Sequence, residues 1–368
     1  MILLKAKRDA LLEPLSAVSG IIERRHTLPI LSNVLLERGD GNVSFLATDI
    51  EVQIRARADL EAARETHAVT VGARKLVDIL RALPEDAEVT LQMQDKRMLV
   101  KAGRSRFVLQ TLAAEDFPRL ARPLGDPARF ALPQKDLKRL LGLVQYAMAQ
   151  QDIRYYLNGL LMVVDGGQLR LVATDGHRLA YAAIALGASL PRQEVIVPRK
   201  TVIELGKLLG EGDEEARVDL SSSQAAFSFG AIELGSKLVD GKFPDYTRVI
   251  PTGHKNTVTL QRESLRQALM RAAILSNEKF RGVRWVLSPE GLKLVSSNAE
   301  QEEAEETLEI QYAGDSLDIG FNVNYLLDVL NNVSASELQC SFGDAASSAL
   351  ITMPSEPDFK YVVMPMRI

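Results

Sequence analysis

The sequence contains little cysteine and little histidine, and each scarcity excludes a class of site. Among 368 residues there are one cysteine, Cys340, and four histidines. A single cysteine cannot form an intrachain disulfide, which suits a reducing cytoplasm. Cys340 alternates with the apolar Leu338 and Phe342, a pattern typical of a small core residue rather than a nucleophile. Scattered histidines and one cysteine do not make a metal site, so we expect neither a metal nor another cofactor.

Long apolar runs are missing as well. The sequence has no run of about 18 apolar residues, so we expect no transmembrane helix and no membrane partner. Residues 1–8 carry charge and lack a signal-peptide core, which favours a cytoplasmic location. With 46% hydrophobic and 25% charged residues, the composition is ordinary for a soluble globular protein. A length of 368 residues predicts two or three domains.

The chain does contain a threefold repeat. Thr48 and Thr174 open similar Thr-Asp motifs 126 residues apart, and Ser297 opens a weaker copy after a further 123 residues. A second motif, which opens with Arg74 and Arg199, recurs at a spacing of 125. Agreement between independent offsets predicts domains of one fold, and the joins between them are rich in proline and glycine. The predicted domains are residues 1–124, 125–253 and 254–368.

The same order of elements is predicted inside each repeat. The first helix is expected at residues 9–22, 135–149 and 263–276, and the second begins near Arg74, Arg199 and Val323. Glycine turns between strands are expected at Asp40-Gly41, Gly166-Gly167 and Glu290-Gly291. Each repeat therefore consists of two β-α-β-β-β halves, which is an α+β class with helices packed on antiparallel sheets.

Charge is divided unevenly along the chain. The net charge is −4, yet the six helical segments sum to +8 and the remainder to −12. If the helices share one surface, that surface is basic and suits contact with phosphate. The alternative is that these are ordinary solvated helix faces, and the charge division alone does not decide between the two.

The middle copy of the Thr-Asp motif is also a candidate for catalysis. Asp175 and His177 offer an acid–base pair, which would make the protein an enzyme. The frame recurs in the other repeats, however, and no nucleophile or metal ligand recurs beside it. We therefore favour a structural turn. A third alternative is a repeat scaffold that binds proteins but not DNA, and the helix charge argues against it.

Motifs distributed over the whole chain carry a resemblance to a known family. They are TLPIL (27–31), GRSRF (103–107), QDIRYYLNG (151–159), ATDGHRL (173–179), VPRK (197–200), SKLVDG (236–241), FPDY (243–246), AILSNEKFRGVR (273–284) and YVVMPMRI (361–368). With these motifs the chain resembles the bacterial DNA polymerase III beta subunits, the sliding clamps, over its full length.

The resemblance implies three domains of the DNA-clamp fold that form half of a six-domain homodimeric ring. It implies a processivity factor, not an enzyme, which encircles duplex DNA without sequence preference. Its implied partners are the DNA polymerase III alpha subunit, the clamp loader, and other polymerases and repair proteins with clamp-binding motifs.

The resemblance also assigns residues to sites. The implied DNA contacts are Arg25, Gln151, Tyr155, Arg199 and Lys200, of which the last two gain from their place at a helix start. The implied peptide pocket comprises Leu157, Thr174, Gly176, His177, Arg178, Leu179, Pro244, Arg248, Val249, Asn322, Tyr325, Ser348, Val362, Met364, Pro365, Met366 and Arg367. Its apolar residues would form an adaptable floor, and Arg178, Arg248 and Arg367 would hydrogen-bond the bound backbone or acidic flanks.

A dimer contact is implied between the first and third domains. Phe107 and Leu109 would pack against Ile274 and Leu275. The basic residues Lys75, Arg104 and Arg106 would face an acidic run, whose members are Glu300, Glu302, Glu303, Glu305 and Glu306. Without the resemblance, this acidic run would be interpreted as a solvated helix or loop.

Overall fold

Two helices form in each of the three repeats. The computed structural model describes residues 1–23, 28–39, 41–58, 60, 65–121 and 127–368. The helices in these residues are α1 (Arg8–Ser19), α2 (Ala73–Ala82), α3 (Gln134–Val144), α4 (Arg199–Leu208), α5 (Arg262–Ala272) and α6 (Val323–Asn332). The first helix of each repeat ends before the expected residue. In the second and third repeats the last predicted turn is a 3₁₀ helix, Gln145–Ala147 and Ala273–Leu275, which closes the helix more tightly.

The strands follow the predicted order of two β-α-β-β-β halves. In the first repeat they are β1 (Ile2–Lys7), β2 (Asn33–Gly39), β3 (Asn42–Thr48), β4 (Val52–Ala58), β5 (His67–Gly72), β6 (Glu88–Gln94), β7 (Arg97–Ala102) and β8 (Ser105–Leu112). In the second they are β9 (Ala128–Pro133), β10 (Gly159–Thr174), β11 (Arg178–Pro198), β12 (Glu215–Leu220), β13 (Gln224–Phe229) and β14 (Ile232–Lys237). In the third they are β15 (Asn256–Gln261), β16 (Gly282–Ser288), β17 (Gly291–Ser297), β18 (Glu303–Leu308), β19 (Leu317–Asn322), β20 (Glu337–Phe342), β21 (Ala349–Met353) and β22 (Glu356–Val363).

The second repeat differs from the other two in one respect. Gly166-Gly167 was expected to be a turn between strands, but both residues lie inside β10, which pairs with β11 as one long hairpin. The pairing register shifts on both sides of Gly166, where extra residues bulge out of β11, and Gly166 has a left-handed φ of 59°. The prediction of a turn there is wrong, because a bulge uses the same glycine chemistry without ending the strand.

The chain forms two compact units, which do not coincide with the repeats. The first comprises residues 1–137 and 203–238, and the second comprises residues 138–202 and 239–368. In the first unit a twelve-stranded sheet has the order β1-β6-β7-β8-β5-β2-β3-β4-β14-β13-β12-β9. In the second unit the sheets have the orders β10-β11-β22-β21-β20-β15 and β18-β17-β16-β19.

Strand pairing continues from one repeat to the next, which explains why the units cut across the repeats. In the first unit β4 pairs antiparallel with β14, from Val52↔Ser236 to Ala56↔Ile232. In the second unit β11 pairs antiparallel with β22 over Arg178–Tyr181. At each junction the last strand of one repeat extends a sheet of the preceding repeat.

Helix packing on the sheets follows the predicted apolar faces. On α5, Leu265, Leu269 and Ala272 are at most 2% exposed, as their shared face predicts. In the third repeat the only tryptophan, Trp285, packs edge-on against Phe321 with ring centroids 5.7 Å apart. Side chains of this size each contribute about 1.5–3 kcal/mol when fully buried.

The structure confirms the core assignment of Cys340. Its side chain lies on β20 with 1% exposure, and burial raises the pKa of the thiol to about 12. In the described ranges there is no cluster of three or more His, Cys, Asp or Glu placed to hold a metal ion. A search of the same ranges finds no helix with the length and apolar character needed to cross a membrane.

The native protein is expected to react very slowly with a thiol reagent such as DTNB near pH 8. The Cys340 thiol is buried and its pKa of about 12 leaves almost no thiolate at that pH. In concentrated guanidinium chloride one equivalent should react at once. Fast reaction of the folded protein, followed by absorbance of the released thiolate, would contradict this placement.

Candidate functional site

The Thr48-Asp49 turn of the first repeat shows which hydrogen bonds the Thr-Asp motif makes. Thr48 Oγ1 donates to the Val52 carbonyl at 2.9 Å and accepts from the Ile50 amide at 3.0 Å. Asp49 Oδ1 accepts from the Val52 amide at 2.7 Å. These side chains close the turn between β3 and β4 by hydrogen-bonding its backbone, as Asx and Ser/Thr turns do.

The middle copy repeats this arrangement. Thr174 Oγ1 donates to the Arg178 carbonyl and accepts from the Gly176 amide at 3.1 Å. Asp175 Oδ1 accepts from the amides of His177 and Arg178 at 2.9 and 3.1 Å. The Asp175 carboxylate therefore closes a turn, as in the first repeat.

Glycine at position 176 has a structural reason. Its φ is 90°, and a Cβ there would lie 3.0 Å from the guanidinium nitrogens of Arg154. Arg154 donates to the Asp175 carbonyl at 3.2 Å and is itself held by Asp152 at 2.9 Å. The side-chain hydrogen bond from Arg154 lowers the pKa of Asp152 to about 2. Gly176 thus lets Arg154 lie across the turn.

The copy of this turn in the third repeat is one residue longer. Asn298 Oδ1 accepts from the amides of Glu300 and Glu302 at 3.1 and 2.9 Å. The turn closes four residues after its Asx residue instead of three, and β18 follows it. The weaker match of this copy in the sequence reflects this extra residue.

Arg178 occupies a different place from the one expected of it. It is 9% exposed, and its guanidinium donates to Asp175 Oδ2 at 3.1 Å, to Asp328 Oδ2 at 2.5 Å and to the Tyr146 carbonyl at 2.7 Å. The guanidinium carbon also lies 4.6 Å from the centre of the Tyr325 ring. Its donors therefore bind groups inside the fold, whereas the resemblance implied that they would bind a peptide.

His177 lies on the surface beside this cluster. Its ring stacks on Tyr325 with centroids 6.4 Å apart and an interplanar angle of 19°. Its carbonyl accepts from the Met364 amide at 2.9 Å, and further along the tail the Met366 amide donates to the Gly320 carbonyl at 2.8 Å. The C-terminal tail is thus attached by one backbone hydrogen bond to the turn and by another to β19.

Apolar side chains next to the turn form a buried floor with an exposed rim. Leu157, Leu179 and Val362 belong to one core cluster and are at most 2% exposed. At the rim, Met364 is 48% and Val249 is 43% exposed. Other expected pocket residues on the surface of the same unit are Gly176, Pro244, Arg248 and Arg367, with Pro365 and Met366 half-buried.

The remaining expected pocket residues belong to the third repeat. Asn322 caps α6, because its Oδ1 accepts from the Asn324 amide at 2.9 Å. Tyr325 is half-buried, and Tyr361 Oη donates to its carbonyl at 2.8 Å. The Ser348 carbonyl lies 2.9 Å from His254 Nε2. Of these three residues, Tyr325 contacts the Asp175 turn through the ring of His177.

The residues expected to face DNA differ in exposure. Tyr155 is 57% exposed and Gln151 is exposed. Arg199 and Lys200 begin α4 and are half-buried; Arg199 donates to the Met148 carbonyl at 3.2 Å, and its burial lowers its pKa. Arg25 lies outside the described residues.

In the first unit, the residues of the expected dimer contact are largely at the surface. Arg104 precedes β8 and Arg106 lies within it, and both are exposed. Phe107 and Leu109, also on β8, and Lys75, on α2, are half-buried or exposed. One edge of β8 pairs with β7 along its length, while the other edge pairs with β5 only at its last two residues.

In the second unit the acidic run forms an edge strand. Residues 303–308 are β18, so the interpretation as a helix or loop is wrong for them. Glu305 already pairs with Lys293 at 2.9 Å, and Glu306 pairs with Arg271 at 2.6 Å. Ile274 is 75% exposed on the 3₁₀ turn after α5, where Leu275 is half-buried.

Two residues at this site were not predicted. Arg154 lies within the motif of residues 151–159, but its contact with the turn depends on the fold. Asp328 carries no local signal at all, because its partner Arg178 is 150 residues away in the chain. The repeat offers one indication of a role for Asp328: its position on α6 corresponds to that of the acidic Glu204 on α4.

Comparison with known proteins identifies the family. Residues 2–121, 131–245 and 247–367 match the N-terminal, central and C-terminal domains of the DNA polymerase III beta subunit. The chain is 49% identical over 365 residues to the beta sliding clamp of Pseudomonas aeruginosa, covering 98% of this chain and 99% of that one. It is also 49% identical over 362 residues to the beta sliding clamp of Escherichia coli, with the same coverage.

The fold agrees with this assignment. A crystal structure of the DNA polymerase sliding clamp from Pseudomonas aeruginosa superposes with a TM-score of 0.96 at 47% identity, with 100% of both chains covered. The chain therefore belongs to the DNA polymerase III beta subunit family, the sliding clamps: it is a non-catalytic processivity factor that partners DNA and the polymerase, and its three clamp domains form half of a six-domain ring.

Proposed function

We propose that two copies of the chain close around duplex DNA by pairing β8 of each copy with β18 of the other. The observation that supports this is the pairing at the two junctions within the chain. There the last strand of a repeat, β14 or β22, pairs with β4 or β11 of the preceding repeat. In the described residues, β8 of the first repeat and β18 of the third hold the corresponding positions and lack that pairing.

The side chains on these two strands fit such a contact. Phe107 and Leu109 offer apolar surface on β8, and Ile274 and Leu275 offer it beside β18. The charges are complementary, since Lys75, Arg104 and Arg106 are basic and the run that contains Glu300, Glu302, Glu303, Glu305 and Glu306 is acidic. Two identical head-to-tail contacts of this kind close a ring.

DNA contact is proposed for the residues near the start of α4. Arg199 and Lys200 bring positive charge to a helix N-terminus. Gln151 and Tyr155 are exposed and lie between Met148 and Asn158, whose carbonyls accept hydrogen bonds from Arg199. Arg25 is proposed from the resemblance alone. Contacts to phosphate carry no sequence information, which suits a protein that slides on DNA.

Partner binding is proposed for the apolar surface beside the Asp175 turn. An extended apolar peptide would lie over the buried Leu157, Leu179 and Val362 and would contact the exposed Met364 and Val249. Arg248 and Arg367 would meet its acidic flanks. The proposed donors of such peptides are the DNA polymerase III alpha subunit, the clamp loader, and other polymerases and repair proteins.

Three further assignments complete the proposal. The domains are residues 1–124, 125–253 and 254–368, and the protein acts in the cytoplasm, where the bacterial chromosome is replicated. It has no catalytic activity of its own, and the engagement of Asp175 in its turn supports this over an acid–base enzyme. A scaffold that does not bind DNA is disfavoured by family membership and by the helix charge.

The protein loaded on circular DNA should remain bound at high salt and be lost when the circle is cut. Encirclement is topological, whereas phosphate contacts weaken steeply with salt. The measurement is co-elution with DNA in gel filtration before and after linearisation. Equal retention on linear DNA with open ends at high salt would contradict encirclement.

Replacing Ile274 and Leu275 together by Asp should give folded monomers. A charge at 75% exposed Ile274 is tolerated in one chain but unfavourable in an apolar contact between copies. Analytical ultracentrifugation at micromolar concentration measures the change. Ile153→Asp is the control, because Ile153 is 96% exposed and outside the proposed contact. A dimer that survives the double substitution would exclude this contact.

Met364→Asp should weaken binding of a clamp-binding peptide by about tenfold or more, since it places a charge at the apolar rim. Deleting residues 364–368 should abolish binding while the dimer persists. Met270→Asp is the matched control, because Met270 is 49% exposed and Met364 is 48% exposed. Fluorescence anisotropy of a labelled peptide from the polymerase III alpha subunit measures both. Unchanged affinity of Met364→Asp would refute the pocket.

A further inference from the structure

Arg178 is the first residue of β11 and ends the Asp175 turn. The turn does not require a buried arginine at this position. In the first domain the same turn has Val52 at the corresponding position, and the Thr and Asp side chains make the same backbone hydrogen bonds. A buried guanidinium is costly unless it is fully paired, so a residue that the turn does not require must serve another purpose.

The other contacts of Arg178 show what it connects. Asp175 and the Tyr146 carbonyl belong to the central domain, whereas Asp328 and Tyr325 belong to α6 of the C-terminal domain. One side chain therefore ties the turn to a helix of the next domain. Tyr361 completes the cluster: its ring lies 5.8 Å from that of Tyr146, and its hydroxyl donates to the Tyr325 carbonyl.

In the described residues, the junction in the first unit shows no such connection. Glu204 takes on α4 the place that Asp328 takes on α6, five residues after the first residue of the helix. Its carboxylate accepts from Lys207 on the same helix at 2.7 Å, and the residue that corresponds to Arg178 is the apolar Val52. Within the described residues, the ionic connection through a turn arginine thus occurs at the junction that also carries the proposed peptide pocket.

We infer that Asp328 is a positioning residue for that pocket: it holds Arg178, and through Arg178 it fixes the Asp175–His177 turn against α6. Fixing the turn also fixes the stacking of His177 on Tyr325 and the attachment of the tail at Met364, both of which border the apolar surface. Asp328 itself need not contact the peptide. The inference rests on the proposed function of the pocket.

Asp328→Asn tests the inference, because the amide keeps the shape of the side chain and removes its charge. The probe is a fluorescein-labelled peptide from the clamp-binding segment of the polymerase III alpha subunit. We expect its dissociation constant to rise about 2- to 30-fold, the range found for residues that act through a network. Asp328→Glu, which keeps the charge, should recover most of the affinity.

Asp318→Asn is the matched control. Like Asp328, Asp318 belongs to the C-terminal domain and pairs with an arginine, in this case Arg284 at 2.6 Å. Asp318 lies on β19, and both side chains of its ion pair are exposed. Its peptide affinity should stay within about twofold of the parent protein, since exposed pairs contribute little. Sedimentation should show dimers for all three variants, so that a loss of affinity is not a loss of assembly.

A double-mutant cycle separates positioning from a general loss of stability. In an Arg178→Met background, Asp328→Asn should cause no further loss of affinity, because the residue through which it acts is gone. Full affinity of Asp328→Asn, or an equal further loss in the Arg178→Met background, would overturn the inference. If the parent protein itself does not bind the peptide, the proposed pocket fails instead.

Discussion

Backbone hydrogen bonding at sheet edges is the constraint on which the rest of this structure depends. An edge strand exposes a row of amide and carbonyl groups, and the chain satisfies two such edges by pairing a strand of one repeat with a strand of the next. This repeated solution leaves β8 and β18 as the strands without that pairing in the described residues. When each repeat pairs only with the repeat before it, one strand of the first repeat and one strand of the last repeat are left without a partner. The proposed closure by a second copy would use the same rule that built the single chain.

The two internal junctions use one backbone plan and different side chains. At the first junction, the residue that corresponds to Arg178 is the apolar Val52. Glu204, on α4, pairs with Lys207 of the same helix. At the second, Arg178 is buried and paired with Asp175 and Asp328. Arg178 and Asp175 are 9% and 16% exposed, whereas Asp328 is 42% exposed. Leaving a buried guanidinium partly unpaired costs more than breaking a surface ion pair. The ion pairs of Arg178 therefore hold the turn against α6 more firmly than strand pairing alone would. The proposed peptide pocket borders this second junction.

Local patterns predicted the local features of the fold. The Thr-Asp frame, the two-helix order of each repeat and the buried Cys340 all follow from spacing and side-chain type, since their interactions lie within a few residues. Gly166-Gly167 shows the limit, because glycine serves a turn and a bulge equally well and only the pairing of β10 with β11 decides. The burial of Arg178 could not be predicted, because it depends on Asp328, 150 residues away. The same reason hides Arg154, whose role needs the turn to be in place.

Retention by a closed ring changes what the charged surfaces have to do. A protein held on DNA only by phosphate contacts needs many of them, and its affinity then falls steeply with salt. A ring needs only enough attraction to stay centred, so a modest excess of +8 on the helical segments is compatible with a net charge of −4. Strong contacts would also slow sliding, since each must break as the protein moves. The half-buried Arg199, whose guanidinium donates to the Met148 carbonyl, is thus suited to a weak and non-specific contact with phosphate.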